Sequence, residues 1–486
     1  MSEGKILQGI KLESTLKEYS MGKFFFEFGE KFKDNISQVD ATIDMSETYS
    51  SVKQRSIRIA IALQAKGVTS SDVIVSCSNN TIDNMIPLIA SLYLGAKIAN
   101  LDSTLSVRTT RHLLNLVSPK IIFVEECFID LIEKSLKDTN LKTEIIVFGE
   151  SINYVTFSEL VKPKPNEDKF RPADVNVHDA AVLFFSSGTT GLPKAICHSG
   201  TRIFCRDMSG ENTFRLIEKY KLTSIFMAPI YTYSLTNVKN PEKYNTSSLR
   251  CILTGGTSIS SEQFKRLDNL FENADIIFGY GMSEIGMLSV FNPEIDDYFI
   301  KTKVGSCGKV VPATTLKVVD FHTDKLLGPN EKGEIRVKSE ALMKGYYNQG
   351  SSHCFDSDGF LKTGDIGYYD EDKCIYVIER MKEMFKYQSW HIVPSSIEAV
   401  ILEHPAVKEV VVFGIPRGEE GDVPAACIVL KDDFNVDKEE IEKFVEERVS
   451  DKERLRGGII FSNNLPKTPS GKLIRMEVKN IVIKSM

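Results

Sequence analysis

Between Glu47 and Phe185, short apolar runs alternate with stretches whose apolar residues recur at helical spacing, and few folds accept that alternation. Val52, Ile57, Ala60, Ile61 and Leu63 mark a helix predicted over 50–66, with Gly67 as its stop. A strand at 73–75, a helix at 83–94 ending at Gly95, a strand at 97–99, a helix at 109–116 and a strand at 120–124 follow. Units of this length, repeated, imply a mostly parallel sheet covered by helices. The run 181–185, AVLFF, is expected to be one more buried strand.

Further along, a strand at 249–253 runs into Gly255-Gly256. The helix after it is signalled by the capping box Ser260-x-x-Gln263 and by Phe264, Leu267, Leu270 and Phe271 on one face. A strand at 276–278 ends at Gly279. From Val304 to Tyr376 the period shortens to two and turns multiply, as in a small β-rich subdomain. The last hundred residues read as a compact α+β domain, with Ser395-x-x-Glu398 capping a helix that stops before Pro405. Strands at 407–413, 425–430 and 459–461 and a charged helix at 437–449 complete it. The chain of 486 residues is too long for one hydrophobic core. The fold class expected is α/β: a large N-terminal domain, 1–378, of parallel αβ-layered subdomains plus the β-rich subdomain, and a small α+β C-terminal domain, 379–486.

Charge and cysteine usage narrow the partners. Lys+Arg 60 against Asp+Glu 66 leaves a net charge of -6, which offers no footprint for nucleic acid or an acidic membrane. Nine cysteines stand singly without a C-x-x-C pair, as expected of reduced thiols inside a cell. The seven histidines show no zinc-ligand spacing. The N-terminal stretch lacks the apolar core of a signal peptide, and no apolar run is long enough to span a bilayer. An intracellular protein, cytoplasmic or peroxisomal, is expected, although the final Lys-Ser-Met is not the standard peroxisomal ending.

The strongest chemical signal is Ser186-Ser187-Gly188-Thr189-Thr190-Gly191-Leu192-Pro193-Lys194, directly after a strand. Its glycines let backbone N–H groups approach an anion, its hydroxyls donate to phosphate oxygens, and Lys194 adds charge. It is not a Walker A loop, because the lysine neither follows the second glycine nor precedes Ser or Thr.

These nine residues resemble the signature of the adenylate-forming superfamily, which holds acyl-CoA synthetases, 4-coumarate–CoA ligases, insect luciferases and peptide-synthetase adenylation domains. The resemblance continues in order along the chain. Leu253-Thr254-Gly255-Gly256 resembles the strand and turn against which adenine stacks, and Gly279-Tyr280-Gly281-Met282-Ser283-Glu284 resembles the G-Y-G-x-T-E segment. There the resemblance implies that Tyr280 flanks adenine, Ser283 contacts the α-phosphate, and Glu284 and Thr189 hold Mg²⁺. Lys362-Thr363-Gly364-Asp365 is similar to the motif whose aspartate binds both ribose hydroxyls, a task suited to a carboxylate. Glu379-Arg380-x-Lys382-x-x-x-Lys386 resembles the hinge, with Arg380 reaching ribose or phosphate. Pro466-Lys467-Thr468-Pro469-Ser470-Gly471-Lys472 resembles the loop carrying the adenylation lysine, Lys472. Standing alone, G-Y-G and T-G-D would each read as a turn.

The resemblance implies a mobile C-terminal domain and two half-reactions. A carboxylic acid, fatty or aryl, is activated by Mg-ATP to acyl-AMP, and coenzyme A then takes the acyl group. After rotation about Glu379-Arg380, Lys386 and Ser389 would line the pantetheine tunnel, although the family usually has glycine at position 389. One departure is large: between Lys194 and Pro229 relatives carry several dozen more residues, so the domain is shortened over 195–228. His198 is expected to pack there rather than to line the acyl pocket. The loss predicts uncovered apolar faces and unpaired strands. It leaves open an active synthetase with a reduced pocket, a nucleotide-binding relative without catalysis, or a truncated product. A luciferase-like oxygenase would share every adenylate motif.

Overall fold

Strand and helix periodicities settle into sheets within two units of contact, seen in a computed structural model. It describes residues 5–9, 20–176, 179–185, 202–204, 207, 209–255, 261–321, 323–343, 345–346, 352–388, 390–418, 421–431, 434, 436–467 and 473–485. One unit comprises 13–208 with 344–350, and the other comprises 1–12, 209–343 and 351–486.

The first unit is built on a six-stranded parallel sheet. Its spatial order is Val155–Thr156, Glu144–Phe148, Ile121–Glu125, Val73–Cys77, Lys97–Asn100 and Val182–Phe184. Strand alternation feeds two cores. Ile74, Ile98, Ile121, Phe123 and Ile146 face the helices Tyr49–Ala65 and Met85–Leu94, while Val73, Val75, Ile122, Val124 and Val147 face Val107–Val117 and Ile129–Leu136. The helix Tyr49–Ala65 starts at Thr48, whose hydroxyl accepts from Ser51 N–H, and Gly67 (φ 72°) turns the chain out of it. The strand at 144–148 and the helices Met21–Lys31 and Ile129–Leu136 went unanticipated.

The expected buried strand at 181–185 is an end strand. Val182–Phe184 closes the sheet order, and Phe184 is 46% exposed. In the second unit Ser224–Met227 likewise ends its sheet, and Phe226 is 55% exposed. Between these two strands in the chain, Arg202–Phe204 joins Ile36–Asp40 and Met45–Thr48 in a three-stranded sheet. Uncovered apolar ends invite edge-to-edge association. Phe226→Lys is therefore expected to shift stability by no more than about 0.5 kcal/mol while lowering light scattering at high concentration.

The second unit holds a five-stranded sheet, Ser224–Met227, Cys251–Gly255, Asp275–Met282, Gly286–Val290 and Lys309–Val310, parallel through its first three strands. A second sheet is antiparallel: Ile6–Gln8, Thr314–Val319, Gly333–Ser339, Leu361–Tyr369 and Ile375–Arg380. Its first strand comes from more than three hundred residues upstream of its neighbour, so the β-rich subdomain is not contiguous in sequence.

The C-terminal α+β fold pairs Val407–Pro416 with Asp422–Leu430, and Ile459–Phe461 adds in parallel. Val410, Val412, Ala426 and Ile428 pack against Ile397, Ile401, Ile441 and Val445 on one face. Val411, Phe413 and Cys427 meet Val478 and Val482 of the helix Arg475–Ser485 on the other. The capping box at Ser395 does not form. Pro394 takes the first helical position, Val393 is the N-cap without a side-chain bond, and Ser395 donates its hydroxyl to Ile378 C=O at 3.1 Å. Of the other box, Ser260 lies outside the described residues, while the buried Gln263 amide donates to Thr236 at 3.2 Å. No described helix is long and apolar enough to cross a membrane.

Candidate functional site

The G-Y-G segment, expected to follow a strand, lies inside one. Asp275–Met282 continues through it, and the turn comes at 283–285. The glycines are required by backbone crowding. Gly255 and Gly279 face each other in register, and a Cβ on Gly255 would lie 2.3 Å from Gly279 O. A Cβ on Gly281 would lie 2.3 Å from Gly286 O. Met282 packs at the margin of the neighbouring apolar cluster. Ser283 and Glu284 form the turn, which is tied down by Met343 N–H donating to Glu284 C=O at 2.6 Å.

T-G-D is also strand. It sits in Leu361–Tyr369, where Gly364 has φ 68° with open space on its Cβ side. Thr363 donates to Ile335 C=O at 2.6 Å and accepts from Asp365 N–H at 3.0 Å, fixing the aspartate's backbone. Register then brings Asp365 opposite Arg380, whose Nε lies 3.2 Å from Asp365 Oδ1. From the other sheet the Tyr280 hydroxyl donates to Asp365 Oδ2 at 2.7 Å. Three residues that the sequence reading assigned to one nucleotide are thus in direct contact, although they are separated by up to one hundred positions.

Electrostatics follow from burial. Asp365 is only 3% exposed, so its charge needs both partners. Burial and the neighbouring carboxylate push the Tyr280 phenol well above its ordinary value. A raised phenol pKa means its contribution to stability is complete below about pH 10 and is lost as pH rises beyond that. Difference absorbance between the wild type and Tyr280→Phe is expected to show no tyrosinate from this residue before alkaline unfolding.

The arrangement suits a ribose. Each carboxylate oxygen has two lone-pair directions, and Gly364 beside Asp365 has open space on its Cβ side. Arg380, whose side chain is 37% exposed, is the partner able to swing aside. Glu284 is the described candidate for magnesium. A single carboxylate fits that ion, which takes most of its shell from water and substrate phosphates. No cluster of three or more His, Cys, Asp or Glu exists among the described residues.

Lys386 is exposed on the hairpin Phe385–Tyr387/Trp390–Ile392, opposite His391. Gln388, just past the first strand of the hairpin, has φ 46°. Ser186, Ser187, Gly188, Thr189, Thr190, Gly191, Lys194, His198, Gly256, Ser389 and Lys472 lie outside the described residues. The flanks of Lys472 are placed: Lys467 bridges Leu473, and Ile474 N–H donates to Pro466 C=O at 2.9 Å. Sequence reading missed Arg475, a half-buried cation three residues beyond Lys472, which no motif it used contains.

Comparison with known proteins finds relatives over nearly the whole chain. The family model described as AMP-binding enzyme matches residues 25–212 and 199–347, and the AMP-binding enzyme C-terminal domain matches 396–472. The luciferin 4-monooxygenase of Nipponoluciola cruciata is 28% identical over 543 positions, covering 99% of this chain and 98% of the relative. The 4-coumarate-CoA ligase 1 of Narcissus pseudonarcissus is 27% identical over 94% of this chain and 92% of its own. The solved structure of a luciferase-like enzyme from the nonluminescent mealworm Zophobas morio is 53% identical, with a TM-score of 0.73 over 77% of this chain and 99% of that one. An alignment of 543 positions against 486 residues leaves at least 57 positions unfilled here. The family model breaks into its two overlapping matches at 199–212, inside the stretch read as shortened.

Proposed function

The chain belongs to the AMP-binding enzyme family, and on that premise we propose that it activates a carboxylic acid with ATP and passes the acyl group to coenzyme A. The observation that carries the reading is the Asp365 carboxylate held between Tyr280 and Arg380, a ribose acceptor built from three separate motifs.

In the first half-reaction a carboxylate oxygen attacks the α-phosphorus of ATP, and the bond to pyrophosphate breaks. The protein positions the reactants and offsets growing negative charge. Asp365 orients the ribose, Arg380 and Ser283 reach toward the phosphates, and the 186–194 loop with Lys194 cradles the leaving pyrophosphate. Lys472 approaches the α-phosphate and the attacking carboxylate. Magnesium, held by Glu284 and Thr189, supplies positive charge at the phosphates when bound. In the second half-reaction the thiol of coenzyme A attacks the acyl carbon, loses its proton, and AMP departs with the bonding pair. The chain works as two domains, 1–378 and 379–486, the second turning about Glu379-Arg380 so that Lys386 and Ser389 replace Lys472 at the site.

Relatives of both kinds support two acceptors. The mealworm protein, at 53% identity, comes from a nonluminescent animal, which favours a thiol. The firefly luciferin 4-monooxygenases, matched over nearly the whole chain, keep the oxygenase as the second reading. The deciding experiment is pyrophosphate release from purified protein with Mg-ATP and a panel of fatty and aryl acids, followed by coenzyme A or oxygen. Acid-dependent release with acyl-CoA supports the ligase, and oxygen-dependent light supports the oxygenase. ATP binding without release with any acid supports a relative that no longer catalyses.

A further inference from the structure

The chain passes from the antiparallel sheet into the C-terminal fold just beyond Arg380. One side chain from the far end of the sequence holds both sides of that crossing. Arg475, the first residue of the helix Arg475–Ser485, has its guanidinium among three carboxylates and a carbonyl, with 18% of the side chain exposed. Its Nε donates to Glu383 Oε2 at 3.1 Å, and Nη1 donates to Glu398 and to Val412 C=O, the latter at 2.6 Å. Its Nη2 lies 3.5 Å from Glu379 Oε2.

These contacts differ in where they lie. Glu398 also accepts from Val412 N–H at 2.7 Å, so the Arg475–Glu398 pair is fastened to both backbone groups of one strand residue within the C-terminal fold. Burial pushes the Glu398 carboxyl up, and Arg475 opposes that shift. A cation at a helix N-terminus is itself disfavoured, so the carboxylates are what permit it there. Glu379 belongs to the strand Ile375–Arg380, on the other side of the crossing, where it also accepts from Ser395 N–H at 3.1 Å. The Arg475–Glu379 contact is the longest of the set and the one that can part while the C-terminal fold keeps its core.

We infer that Arg475 is a positioning residue. It ties the start of the helix Arg475–Ser485, three positions beyond Lys472 in the chain, to the hinge carboxylate Glu379, and this contact must release for the C-terminal domain to reorient between half-reactions. The inference rests on the proposed two-step reaction. Arg475 follows Leu473 and Ile474, whose backbones pair with Lys467 and Pro466. A planar fork with several donors serves carboxylates in different directions, as a lysine would not.

The test uses the full chain with Glu379→Gln, which removes the charge across the hinge but keeps an acceptor for Ser395. Glu398→Gln, which acts inside the fold, is the comparison. Hydrogen exchange is followed over 381–393 and 473–485, beside the Tm and the two half-reactions, the second started from synthetic acyl-adenylate. Glu379→Gln is expected to speed exchange in both segments about tenfold, from loss of one charged contact, with the Tm nearly unchanged. It is also expected to change the ratio of the two half-reaction rates. Glu398→Gln is expected to lower the Tm clearly. Unchanged exchange in Glu379→Gln, or equal loss in both half-reactions with a fallen Tm, overturns the inference and leaves Arg475 a fold residue. If the wild type releases no pyrophosphate with any acid, the reaction scheme fails, and exchange alone still decides whether the latch exists.

Discussion

Lys472→Ala is expected to slow acid-dependent pyrophosphate release by about 10²–10³, the loss typical of one preorganised donor at a developing charge. Thioester formation from preformed acyl-adenylate should stay close to wild type, because the reading withdraws Lys472 from the site before the thiol enters. The two rates are measured separately, with a coupled pyrophosphate assay and with synthetic adenylate plus coenzyme A. Equal losses in both would show that the lysine stays in place throughout, and the alternating arrangement of 379–486 would have to be abandoned.

Asp365→Asn carries the second large effect. The amide keeps the shape of the side chain, yet it loses the charge that faces Arg380 and one of the two oxygens available to ribose hydroxyls. Charged hydrogen bonds contribute about 1.5–3 kcal/mol each, so ATP affinity is expected to fall by roughly ten- to a hundredfold in calorimetric titration. Stability should fall less, since Tyr280 and Arg380 keep an acceptor and Arg380 can turn to water. A lowered Tm with unchanged ATP affinity would make the Tyr280–Asp365–Arg380 contact a structural bridge between sheets, and the ribose assignment would be lost.

Much of this was legible in one dimension. The parallel αβ layering followed from apolar runs such as 73–75 and 120–124, which the structure extends or shifts to 73–77 and 121–125, set between amphipathic helices, because backbone periodicity is a local property. The candidate nucleotide residues could be proposed because each motif is a short string whose chemistry can be read out of context. What failed was local context at those same strings. G-Y-G and T-G-D read as turns by composition, yet both lie within strands: Gly281, like Gly255 beside the segment, has backbone where a Cβ would stand, whereas Gly364 takes φ 68° inside its strand. Ser395-x-x-Glu398 had the spacing of a cap. Pro394 started the helix one residue earlier, and Glu398 was drawn to Arg475 instead.

The sequence by itself determined the family and the α/β class, and it named candidate residues for a nucleotide. Tertiary structure alone decided that Tyr280 and Arg380 share the Asp365 carboxylate, that Ile6–Gln8 completes a sheet begun at Thr314, and that Arg475 answers carboxylates on both sides of the hinge. The reason is physical. Periodicity and motif chemistry act over a few residues, whereas burying a charge requires a partner that only folding can bring from elsewhere in the chain.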